Sequence, residues 1–174
     1  MIPAVVLALA VVSLEEAEAA FARGDYATAE SLALAAARPP VAGAALNLVG
    51  LARFRGGKPR EALDAFDQAH LAADPPVEAT WHYNKAACLY ELARYREARA
   101  EYEDAARLED GLAPSAFVNA GFAALNAGDV EQARELAAKA RAIAAGGAAA
   151  ILADLEEQLD GAGSERAATE RSEM

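Results

Sequence analysis

The chain has 174 residues, 27 of them acidic and 16 basic, giving a net charge of −11 and a pI near 4.6. A phosphate backbone is bound by Lys and Arg that displace its counterions, so this balance excludes nucleic acid as the expected partner. Cys88 is the single cysteine, which excludes an intramolecular disulfide and a cysteine-based metal cluster, and abundant alanine with few aromatics favours helices over strands.

Residues 1–13 form an apolar N-terminal segment. The run Ile2 to Val12 (IPAVVLALAVV) carries no charge. It is too short to span a bilayer, which takes about 20 helical residues, but matches the apolar centre of a secretory signal, about 7–15 residues long. Val11 and Ser13 are small enough to flank a cleavage point after Ser13. The alternative is a buried extension of the first helix, with Pro3 at a position helices tolerate. Export is the preferred reading, placing the protein in a periplasm or at a membrane rather than in the cytoplasm. Ser13-Leu14-Glu15-Glu16 then reads as a capping box that opens the first folded helix.

From Leu14 onward the sequence repeats itself. Aligned on the alanine after each break, Ala29, Ala62, Ala98 and Ala133 stand 33, 36 and 35 residues apart. Twelve residues upstream of each lies a small residue: Ala17, Gly50, Ala86 and Gly121. The i+4 and i+7 positions downstream hold Ala33 and Ala36, Phe66 and Ala69, Tyr102 and Ala105, Ala137 and Ala140, so each set shares one helix face. The breaks read Gly24-Asp25-Tyr26, Gly57-Lys58-Pro59, Ala93-Arg94-Tyr95 and Gly128-Asp129-Val130, where a glycine ends the first helix cheaply and the next residues begin the second. A repeat of this period predicts four helix–turn–helix units, at about 14–38, 41–74, 77–110 and 114–145.

Punctuation agrees with that reading. Pro39, Pro40, Pro75, Pro76 and Pro114 separate units, and Pro59 opens a second helix. After the fourth unit, residues 148–160 place Ile151, Leu152, Leu155 and Leu159 on one apolar stripe, as expected of a helix that caps the exposed end of an array. Residues 161–174 lack apolar periodicity and are expected to form a flexible tail.

The small, aromatic and alanine positions in this order resemble those of tetratricopeptide-repeat proteins, of the small bacterial scaffold type, over four units from Leu14 to about Ala145. The resemblance implies an all-α, right-handed α-solenoid of four helix–turn–helix repeats with a C-terminal capping helix. Departures are present: Leu46, His82 and Phe117 stand where the family usually has tryptophan near the start of a unit.

No chemistry-bearing constellation appears beside this pattern. His70 and His82 fall on helices, in places suited to partly buried packing residues, and no zinc-type His spacing is present. Cys88 lies on a helix between Ala87 and Leu89 and reads as an inert thiol. Glu101, Glu103, Asp104, Glu109 and Asp110 lack the spaced oxygen ligands of a calcium loop and read as a solvated face. The expectation is a protein without cofactor, metal or catalytic residues.

What remains is surface. In tetratricopeptide-repeat proteins the first helices of successive units line a concave, partner-binding groove, at positions spaced i, i+4 and i+7. Here those places hold Leu14, Glu18 and Phe21; Asn47, Leu51 and Phe54; Tyr83, Ala87 and Tyr90; Val118, Phe122 and Leu125. Asn84 and Asn119 occupy matching places one residue beyond Tyr83 and Val118. In family members that grip a C-terminal carboxylate, asparagine at that place works with Lys and Arg. Tyr83, Ala87, Val118 and Phe122 fill the companion places, so the basic half of such a clamp is missing. The residues expected to line the groove are Asn47, Leu51, Phe54, Tyr83, Asn84, Ala87, Tyr90, Val118, Asn119, Phe122 and Leu125. The function expected is a non-catalytic scaffold, an assembly or accessory factor that binds a protein or peptide, touching a membrane only through an uncleaved N-terminal segment. The alternatives are a small secretion-type chaperone sheltering an apolar client segment, and an enzyme using scattered acidic residues.

Overall fold

The computed structural model describes residues 13–72, 74–76, 78–143 and 147–172, with side chains in the last helix as far as Ala162. The segment Ile2 to Val12, and with it the expected export signal, lies outside the described residues. Those residues form an all-helical fold: α1 Leu14–Ala22, α2 Tyr26–Ala36, α3 Ala42–Arg55, α4 Pro59–His70, α5 Glu78–Glu91, α6 Tyr95–Leu108, α7 Ala113–Asn126, α8 Val130–Ile143 and α9 Gly147–Ser172. Among the described residues no helix is long and apolar enough to cross a membrane. The chain divides into two compact units, Met1–Pro75 and Pro76–Met174.

The helices are joined in hairpins by one repeated device. Gly24, Gly57, Ala93 and Gly128 all take left-handed backbone angles, with φ of 79°, 76°, 57° and 81°. At each, two backbone bonds close the preceding helix. The N–H of the left-handed residue donates to the carbonyl three residues back, as Gly57 does to Phe54 at 3.0 Å. The next N–H donates five residues back, as Lys58 does to Arg53 at 2.9 Å. This pairing satisfies carbonyls that a helix end otherwise leaves orphaned. The same two bonds recur at Ala93 and Arg94, both 2.9 Å, and at Gly128 and Asp129, both 2.9 Å. Glycine tolerates the left-handed region; the Cβ of an alanine crowds the following carbonyl oxygen there, at a cost of about 1–2 kcal/mol.

In the first unit α1 packs on α2, α2 on α3 and α3 on α4. Ser13 caps α1, its Oγ accepting from the Glu16 N–H at 3.3 Å, and Asp25 caps α2 by accepting from the Thr28 N–H at 3.1 Å. α3 has no side-chain cap of its own at Val41; instead Asp74 accepts from the Gly43 N–H at 3.0 Å. Small residues set the closest approach. A methyl group at Gly50 would sit 2.5 Å from the Phe66 ring, so the ring occupies the space that a side chain there would take. Ala17, Ala29, Ala33, Ala62 and Ala69 are fully buried, as the repeat predicts.

In the second unit α5 packs on α6, α6 on α7, α7 on α8, and α9 against both α7 and α8. Ala86, Ala98, Ala105, Ala133 and Ala140 are fully buried, with Tyr102 and Ala137 nearly so. Ala137 is the fourth unit's counterpart of Phe66 and Tyr102, and being small it leaves its space unfilled. Leu155 of α9 fills it: a methyl group at Gly121 would lie 2.5 Å from the Leu155 side chain. Leu152, Leu155 and Leu159 are buried, but Ile151 is 45% exposed and does not belong to the stripe. Positions i, i+3 and i+7 share a face, whereas the residue before them points about 100° away. Two boundaries also shift. Pro114 stands in the first turn of α7, where a missing N–H costs nothing, rather than between units. α9 continues to Ser172, past the expected end of the capping helix at residue 160. The Glu, Arg and Ala residues of SERAATER are good helix formers, which apolar periodicity does not register.

Candidate helix-face binding site

The groove residues expected from the sequence fall in both units. Asn47, Leu51 and Phe54 lie on α3, half-buried. Arg53, their neighbour, turns to α2 and α4: its guanidinium donates to Glu30 at 2.7 Å and to the Glu61 carbonyl at 3.1 Å. With Lys58 Nζ 3.3 Å from the same carboxylate, Glu30 is held below the usual carboxylate range, chiefly by the Arg53 hydrogen bond.

The second unit gathers the rest. Tyr83, Asn84, Ala87 and Tyr90 on α5, with Asn119, Phe122 and Leu125 on α7, are half-buried. Val118 is a correction. It is fully buried in the core that also holds Tyr102 and Leu155, so this apolar side chain is closed off from solvent and does not line the face. The position one residue on, Asn119, takes its place on the face.

Two hydrogen bonds bridge α5 to α7. Asn119 Nδ2 donates to the Tyr83 hydroxyl oxygen at 2.8 Å, and Asn126 Nδ2 donates to the Tyr90 hydroxyl oxygen at 2.8 Å. Asn126 Nδ2 also donates to the Phe122 carbonyl at 2.9 Å. Each tyrosine is further fixed by an edge-on ring, Tyr83 by Tyr102 at 5.2 Å and Tyr90 by Tyr95 at 5.3 Å. Between the two bridges lies a pocket of about 160 Å³ lined by Tyr90, Tyr102, Asn119 and Phe122. Burial pushes the Tyr83, Tyr90 and Tyr102 phenols upward, Tyr102 furthest, so the face stays uncharged well into the alkaline range.

Asn126 was not among the residues expected from the sequence. A signal for it exists: Asn119 and Asn126 are seven residues apart, as are Tyr83 and Tyr90, so each pair stands on one stripe of its helix. Tyr102 was expected only as core, yet it also floors the pocket.

A second cluster stands on α5 and α6. His82, Glu101 and Asp104 bring ligand-type atoms within 4.8 Å of one another. Glu101 already lies 2.6 Å from His82 Nδ1 and 2.7 Å from Lys85 Nζ, and Asp104 pairs with Arg107. Lys85 also lies over the Trp81 ring, 4.6 Å from its centroid. Cations thus hold both carboxylates, and the cluster is an ion-pair network tying α5 to α6. Cys88 is fully buried on α5. No protein-family model matches the chain, and no curated protein matches it.

Proposed function

We propose that this chain is a tetratricopeptide-repeat type scaffold that binds a protein segment on the face shared by α5 and α7, without catalysis. Reactive groups do not converge there. The face carries aromatic rings, two amide–phenol bridges and a shallow pocket, which are means of gripping a chain rather than of transforming it. The single observation that carries the reading is the pair of bridges, Tyr83 to Asn119 and Tyr90 to Asn126. They hold large, rigid rings half-exposed in one orientation, so little conformational entropy is lost on contact. Half-exposed aromatics of this kind commonly supply the few contacts that dominate a protein interface.

Selection from a displayed random-peptide library on the full chain tests this. Peptides enriched on the wild type should be lost on Tyr90→Ala and Phe122→Ala while both variants still melt cooperatively. Enrichment that both variants retain, or no enrichment at all, would contradict it.

A further inference from the structure

The two bridges also carry directional information. A carbonyl oxygen can only accept, so the Asn126 side chain must turn its nitrogen toward the Phe122 carbonyl, and the same nitrogen meets the Tyr90 oxygen. The Tyr90 hydroxyl is therefore an acceptor within the protein, and its own proton is directed to a second acceptor. Asn119 donates to Tyr83 in the same sense. A hydroxyl that accepts one bond becomes a better donor for the next. The face thus offers a ligand phenolic donors, with a pocket sized for one compact apolar group beside Tyr90 and Asn119.

Spacing narrows what can use them. Tyr83 and Tyr90 are seven residues apart on one helix, a rise of about 10.5 Å. A polyproline II chain repeats every three residues, about 9.3 Å, with its carbonyls unpaired and facing outward. A β-strand presents one face every two residues, at about 6.8 Å and then 13.6 Å, which misses the second donor. An α-helix matches the spacing, but its carbonyls are already bonded within the helix, so the tyrosine protons would be desolvated without a partner. Charge points the same way. Tyr83, Ala87, Tyr90, Asn119, Phe122 and Asn126 bear no formal charge, and Glu91 follows Tyr90 on a chain of net charge −11, so an acidic ligand is repelled.

We propose that the α5–α7 face binds an uncharged, proline-rich segment in the polyproline II conformation, its carbonyls accepting from Tyr83 and Tyr90 and one proline ring entering the pocket lined by Tyr90, Asn119 and Phe122. This rests on the peptide-binding reading above and names its ligand class.

The test is fluorescence anisotropy on the full chain with two labelled probes, decaproline and an uncharged amphipathic helical peptide of equal length. Tyr90→Phe keeps the ring and removes only the hydroxyl. Decaproline should bind saturably to the wild type and about 3–10-fold more weakly to Tyr90→Phe, the worth of one net hydrogen bond. Decaproline binding that Tyr90→Phe leaves unchanged would overturn the inference. Tyr90-dependent binding of the helical probe without decaproline would overturn it too, while leaving the peptide-binding reading intact. If neither probe binds, the inference falls, and the library selection decides separately whether the broader reading falls with it.

Discussion

The hairpins α3–α4 and α5–α6 are built on one plan and filled differently. In each, a small residue of the first helix receives an aromatic ring from the second: Gly50 beside Phe66, and Ala86 in one core with Tyr102. Phe66 ends against α3 and is sealed there. Tyr102 carries a hydroxyl and forms the floor of a pocket that Tyr90, Asn119 and Phe122 complete. The register therefore decides which positions are core, and the side chain at the same position decides whether the core also serves a surface. In the second hairpin the core ring also borders a surface pocket, and the proposed binding face draws on that hairpin.

The largest expected effects come from removing the two rings. Phe66→Ala and Tyr102→Ala should each destabilise by about 3–5 kcal/mol, read by denaturant unfolding, because each leaves a cavity that packed helices cannot close. A much smaller loss at Phe66 than at Tyr102 would break the equivalence of the two positions.

A smaller effect separates the hairpins at their turns. Gly57 and Ala93 occupy the same left-handed position, and only alanine is strained there. Ala93→Gly should relieve about 1–2 kcal/mol of backbone strain, offset by about 0.4–1 kcal/mol from a more flexible unfolded chain. The net gain, from near zero to about 1.6 kcal/mol, should raise the melting temperature by up to about 6 °C. A fall in melting temperature would mean that Ala93 does not hold the left-handed conformation.

Much of this architecture was legible in the sequence, because burial in a helical hairpin is periodic. The alanine and glycine positions spaced twelve apart, the four breaks and the Ser13 cap all follow from local chemistry, and all stand where the spacing put them. What escaped depends on geometry between helices. Val118 reads as a groove residue by its place in the repeat, yet it is fully buried in the core of the second unit. Leu155 fills the space beside Gly121 only because Ala137 leaves it open, a compensation between residues 18 positions apart. Asn126 matters through a bond to Tyr90 on another helix, and no repeat position demands it.

The proposed binding face requires Tyr90 to belong to a surface and Tyr102 to the core beneath it. The most direct test is to melt Tyr90→Ala and Tyr102→Ala side by side. Losing a half-exposed ring and one hydrogen bond should cost Tyr90→Ala about 1–2 kcal/mol, against about 3–5 kcal/mol for Tyr102→Ala. Equal destabilisation by the two variants would place Tyr90 in the core and contradict the assignment of the α5–α7 face as a binding surface.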